Sequence, residues 1–161
     1  MQVTAELFKS ALEHEVKSEV FFNQAAEITK NDESRMLFLE LADMEEGHIR
    51  HLINKTKSTP WPEEFNPERY VKLLESHIPQ SIISADETEI LQNGDMKAVL
   101  ELAISMEKEA YETFVELADK AASQEVKNCC RELSREEQKH LNSLTSLLAS
   151  LDMDEDDRSS L

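Results

Sequence analysis

Glu45-Glu46-Gly47-His48 and Glu137-Gln138-Lys139-His140 each place a glutamate and a histidine three positions apart. On a helix such a pair is separated by about 60° around the axis and by about one turn along it, so both side chains leave the same face. One Glu-x-x-His is commonplace in a chain with 34 acidic residues. Two are informative only if something ties them together, and here an internal repeat does. Laid on itself with a shift of 92 residues and no gap, the chain brings Glu45 onto Glu137, His48 onto His140 and Glu15 onto Glu107. Ala11/Ala103, Phe22/Phe114, Ala26/Ala118, Glu33/Glu125, Leu41/Leu133 and Leu52/Leu144 coincide as well. The chain is read as two copies of one helical hairpin.

Apolar residues recurring at three and four positions predict four long helices, over 4–30, 32–56, 95–121 and 123–150. Leu7, Phe8, Ala11, Leu12, Phe22 and Ala26 form the stripe of the first, and Leu37, Phe38, Leu41, Ile49 and Leu52 that of the second. Asn31-Asp32, Gly94-Asp95 and Ser123 stand where N-caps are wanted. All four prolines (Pro60, Pro62, Pro67, Pro79) fall within 57–94, which is read as a long crossover between the second and third helices. Trp61-Pro62 breaks structure there, Asn66-Pro67 opens a short helix through Leu74, and another short turn runs from Asp86 to Gln92. Residues 1–151 form one domain on this reading, with hairpins 4–56 and 95–150, and the acidic stretch 152–161 is expected to be a disordered tail.

In each hairpin the two glutamates are 30 residues apart and so about 15 from the turn, near Lys30 or Ala122. At ~1.5 Å per residue both stand roughly 22 Å from it, level on antiparallel neighbours. Each also interrupts an apolar stripe: Glu15 lies between Leu12 and Phe22, Glu45 between Leu41 and Leu52, Glu107 between Ala103 and Phe114, Glu137 between Leu133 and Leu144. They are expected to face the core, where an unpaired carboxylate costs several kcal/mol or takes up a proton. Two divalent cations remove that cost, since their charge cancels four carboxylates. An oxygen and imidazole donor set suits iron, manganese or zinc better than magnesium or calcium.

The formal net charge of −17 excludes nucleic acid and anionic membrane surfaces as partners and favours cations. No apolar run approaches the ~20 residues that span a bilayer, and residues 1–12 lack an apolar signal core, so a cytoplasmic protein is expected. Cys129 and Cys130 are adjacent and outside any Cys-x-x-Cys pair; Cys130 is read as a small buried apolar residue.

A glutamate from each of two helices plus a Glu-x-x-His from each of the other two is the ligand pattern of ferritin-like di-iron carboxylate bundles. Within that superfamily the segments from Ala11-Leu12-Glu13-His14-Glu15 through Phe21-Phe22, and Glu45-Glu46-Gly47-His48, resemble the ligand-bearing helices of rubrerythrins and bacterioferritins. The resemblance implies an all-α, up-down-down-up four-helix bundle holding two iron ions, with Mn or Zn as substitutes. Glu45 and Glu137 would bridge the metals, Glu15 and His48 would complete one iron, and Glu107 and His140 the other. It implies an oxidoreductase that reduces peroxide or dioxygen, with ferroxidase activity or plain metal binding as alternatives, and a homodimer. Glu19 and Tyr111, four positions beyond Glu15 and Glu107, are candidates to orient the ligands. Two departures stand out. Rubrerythrins commonly carry a further metal carboxylate where this chain has Ala110, and no Cys-x-x-Cys pairs are present to form a rubredoxin module. Electrons would come from a separate donor such as a rubredoxin-like protein.

Overall fold

The computed structural model describes the backbone of residues 2–56 and 65–159, and the side chains of 5–56 and 65–153. Among them are six helices: α1 (Gln2–Ile28), α2 (Asp32–Thr56), α3 (Pro67–His77), α4 (Ala85–Asn93), α5 (Met96–Lys120) and α6 (Gln124–Ser159). The described residues contain no strand. The four long helices pack chiefly as the pairs α1/α2 and α5/α6, as the hairpin repeat requires. Trp61 and Pro62 lie outside the described residues.

Local chemistry fixes the ends. Asn31 Oδ1 accepts from the amides of Glu33 (2.8 Å) and Ser34 (3.4 Å), satisfying donors that the first turn of α2 leaves open. Asp95 Oδ1 accepts from Ala98 N at the start of α5, and Asn66 Oδ1 from Arg69 N ahead of Pro67. The crossover helices run slightly longer than their sequence signals suggested. α3 continues one turn past Leu74 to His77, and α4 begins at Ala85 because Ser84 and Glu87 form a reciprocal capping box. Gly94 ends α4 by donating to Ile90 O, and a Cβ there would approach that oxygen to 2.5 Å, so the close passage from α4 to α5 requires glycine.

α6 differs most from expectation. It runs to Ser159, although the sequence suggested an end near 150 and a disordered tail from 152. Leu148 and Leu151 pack against the core, and Asp152 pairs with Lys97 of α5 at 3.3 Å, which carries the helix past the expected end.

The apolar stripes bury as read: Phe8, Ala11, Leu12, Phe22, Ala26, Phe38, Leu41, Ile49 and Leu52 are all in the core. They fall into two clusters. One gathers Phe8, Leu12, Leu52, Phe114, Cys130 and Leu133; the other gathers Phe22, Phe38, Leu41, Leu100, Ala103 and Leu144. Each fully buried Phe contributes on the order of 1.5–3 kcal/mol, and Phe38→Ala would cost about 3–5 kcal/mol. Between the two clusters the residues at core positions are acids and histidines.

Candidate metal centre

Glu15 on α1, Glu45 and His48 on α2, Glu107 on α5, and Glu137 and His140 on α6 come together in that middle layer. The four carboxylates are essentially inaccessible, at 0–1 % exposure. Helical periodicity forces this: each occupies a position in an apolar stripe whose neighbours one turn away are core residues. His48 presents Nδ1 to three of them, 3.1 Å from Glu15 Oε2, 3.1 Å from Glu137 Oε1 and 3.5 Å from Glu45 Oε2. His140 Nδ1 lies 3.6 Å from Glu107 Oε2 and 3.7 Å from Glu137 Oε2. The two imidazoles stack in parallel, with centroids 5.5 Å apart and planes inclined by 4°.

Donor atoms of Glu15, Glu45, His48 and Glu137 lie within 4.8 Å of one another, as do those of Glu45, Glu107, Glu137 and His140. The two groups share Glu45 and Glu137. Each matches one half of the sequence-predicted set, and the pseudo-symmetry of the repeat relates them.

The electrostatics are those of a cluster that could hold cations. Every oxygen of the four carboxylates except Glu15 Oε2 is buried without a hydrogen-bond partner, and so is His140 Nδ1. Burial raises the pKa of Glu15, raises Glu45 well above the carboxylate range and pushes Glu107 up to about 9. The imidazoles move the same way for a different reason. Burial opposes their charge, but the carboxylates around them outweigh it, lifting His140 to about 9 and His48 further. Glu137 is also penalised by burial, yet its contacts with His140 and His48 hold it below the ordinary range. The cluster thus retains protons where cations would otherwise balance the acids. Oxygen and imidazole donors, convergent and unsatisfied, could hold divalent cations of the iron, manganese or zinc type.

The other singled-out residues fall outside the cluster. Glu19 is half-buried, and burial together with Glu46 pushes it to about 7. Tyr111 is partly exposed, and among the described residues neither it nor Glu19 hydrogen-bonds to the six. His51 turns away to pair with Glu132 at 3.0 Å. Cys129 and Cys130 are buried, and burial pushes their thiols to about 12 and 11, so both act as apolar filler. Ala110 is buried at 2 % exposure and offers no donor. Sequence reasoning assigned nothing to His14. Its ring packs edge-on against Phe114 at 5.6 Å, its Nε2 is buried without a partner, and burial lowers its pKa. Its place one residue before Glu15 was the available signal.

An all-helical bundle with a buried layer of four carboxylates and two imidazoles belongs to the class of helical carboxylate proteins able to hold metal. The rubrerythrin family profile matches residues 6–148, and the chain belongs to the rubrerythrin family. No curated protein and no solved structure matches it significantly. No helix among the described residues is long and apolar enough to cross a membrane.

Proposed function

We propose that the protein is a non-haem di-iron oxidoreductase that reduces peroxide or dioxygen with electrons from a separate donor. The observation that carries this reading is the buried, partner-poor convergence of Glu15, Glu45, His48, Glu107, Glu137 and His140 in a rubrerythrin-family chain. Glu45 and Glu137, common to both donor groups, would bridge the ions. Glu15 with His48 and Glu107 with His140 would complete one each.

A bound ferrous pair supplies two electrons and Lewis acidity, and cleaving peroxide to water consumes those electrons and two protons. The chain's own residues have other tasks. The carboxylates hold the ions together and offset their charge. The apolar clusters on either side exclude bulk water, which strengthens each charge interaction in the layer. Glu19, with a pKa near 7 and one turn beyond Glu15, would exchange protons at neutral pH.

The bundle is further read as up-down-down-up. Phe65 packs on Phe8 near the start of α1, while Gln24 near its end accepts from Ile82 N and donates to Gln80 O, so 65–82 travels the length of α1. Ser34 of α2 donates to Met96 Sδ at the start of α5, which supports α2 and α5 beginning at the same end.

Anaerobic stopped-flow mixing of ferrous-loaded protein with peroxide tests the reading. A ferric absorption band is expected to rise rapidly, and its absence would remove the peroxide assignment. The same experiment with dioxygen separates a peroxidase from a ferroxidase.

A further inference from the structure

The repeat that relates the two hairpins also relates two grooves on the seam between α2 and α6, and the grooves have diverged. One, of about 470 Å³, is lined by His48 together with His51, Glu132, Leu133, Arg135, Glu136 and Lys139. The other, of about 190 Å³, is lined by His140, Glu40 and Ser143 together with Leu37, Leu41, Met44, Leu144 and Leu147. Under the 92-residue shift His48 corresponds to His140, Leu133 to Leu41 and Glu132 to Glu40, but His51, Glu136 and Lys139 correspond to Ser143, Met44 and Gly47. Each groove has one of the two stacked imidazoles in its wall. The centre therefore has two pseudo-equivalent approaches, one wider and mostly polar, one narrower and mostly apolar.

A metal ion in water arrives hydrated. A narrow, mostly apolar groove strips its water and returns few ligands, whereas a wider polar groove replaces the lost ligands as the ion advances. In the polar groove His51 Nε2 and Glu132 Oε2 stand 3.0 Å apart, with side chains 41 % and 45 % exposed. They offer an imidazole nitrogen and a carboxylate oxygen, the donor types of the buried layer itself. We infer that metal ions reach the buried centre through the His48 groove, with His51 and Glu132 as the first donors they meet, rather than through the narrower, mostly apolar His140 groove, where Ser143 stands in place of His51 beside Glu40. The inference rests on the reading of the six-residue layer as a metal centre.

Charge at the mouth makes the idea testable in both directions. Lys139 is held by Glu136 at 3.1 Å, so the remaining balance is between Glu132 and Arg135. Neutralising Glu132 leaves the mouth positive, and neutralising Arg135 leaves it negative. Metal-free full-length protein would be mixed with cobalt(II) in a stopped-flow spectrometer, following the visible absorption of bound cobalt, with the final cobalt content measured separately. Uptake by the His51→Ala/Glu132→Gln double variant is expected to be roughly tenfold slower than wild type, within the range that local fields impose on association rates. Arg135→Gln is expected to be faster. Leu147→Trp, which fills the apolar groove, is expected to match wild type, and all variants should reach the same final content. Equal rates in the double variant and wild type, or slowing by Leu147→Trp, would overturn the route while leaving the metal centre intact. Failure of wild type to take up cobalt would overturn the centre and the route together.

Discussion

Replacing Glu107 by leucine is expected to stabilise the metal-free protein and to destabilise it relative to wild type once metal is supplied. Glu107 is 1 % exposed and both its oxygens are buried without a partner. An unsatisfied buried polar group costs about 1–3 kcal/mol, and leucine at the same place replaces it with apolar contact. The lost neighbour is His140, 3.6 Å away, which keeps Glu137 at 3.7 Å. The net gain is therefore roughly 1–3 kcal/mol. At about 2.1 cal/mol/K per residue, unfolding this 161-residue chain has an entropy near ~0.3 kcal/mol/K, so Tm is expected to rise by roughly 3–9 °C. Free metal at about 1,000 times Kd adds ~4.1 kcal/mol to wild type, more than that gain, and the variant, short of one donor, loses most of it. Calorimetry in chelator and then in anaerobic ferrous solution reads both signs. A variant that melts below wild type in chelator would show that the acids are satisfied among themselves. An order that does not reverse with metal would remove the reason for burying them.

Glu45→Ala and His140→Ala are each expected to lower bound metal to well under two ions per chain by elemental analysis, and retention of two would contradict their place in the centre. The metal-free protein is expected to lose stability as pH rises from about 6.5 to 9. His140 and Glu107 both bind protons more tightly folded than unfolded, with pKa values near 9 against 6.5 and 4.5, so their contribution fades through that window, while the depressed Glu137 acts only on the acid side. A flat or rising Tm between those pH values in chelator would contradict it. Gly47, mid-helix with nothing within 4 Å of an added Cβ, should accept alanine with a gain of about 0.5–1 kcal/mol. Gly94→Ala should lower Tm, because its Cβ would collide with Ile90 O. Equal melting of the two glycine variants would show that the α4 to α5 passage yields.

The convergence of Glu15, Glu45, His48, Glu107, Glu137 and His140 was legible in the sequence because two constraints coincide on it: glutamates that interrupt apolar stripes and a gapless repeat. Helix starts were legible wherever a short polar side chain does the capping, as Asn31, Asn66 and Asp95 do. The capping box at Ser84 and Glu87 was equally present in the sequence, and reading it would have set the start of α4 one residue earlier. The end of α6 was not legible. A run of acids at a helix C-terminus opposes the helix dipole and reads as a stop, whereas the continuation depends on Lys97, far away in sequence. Gln24, which clamps Gln80 and Ile82, was hidden for the same reason: a polar side chain serving a distant backbone leaves no periodic trace. The difference between the two grooves emerges only when the repeat is placed in three dimensions, because the diverged residues are surface positions where periodicity carries no signal.

Anaerobic ferrous titration of metal-free protein, followed by elemental analysis of the protein separated from free iron, addresses the buried layer most directly. The proposed function predicts saturation at two iron ions per chain. Saturation at one, or no retained iron, would contradict a dinuclear centre between the two apolar clusters.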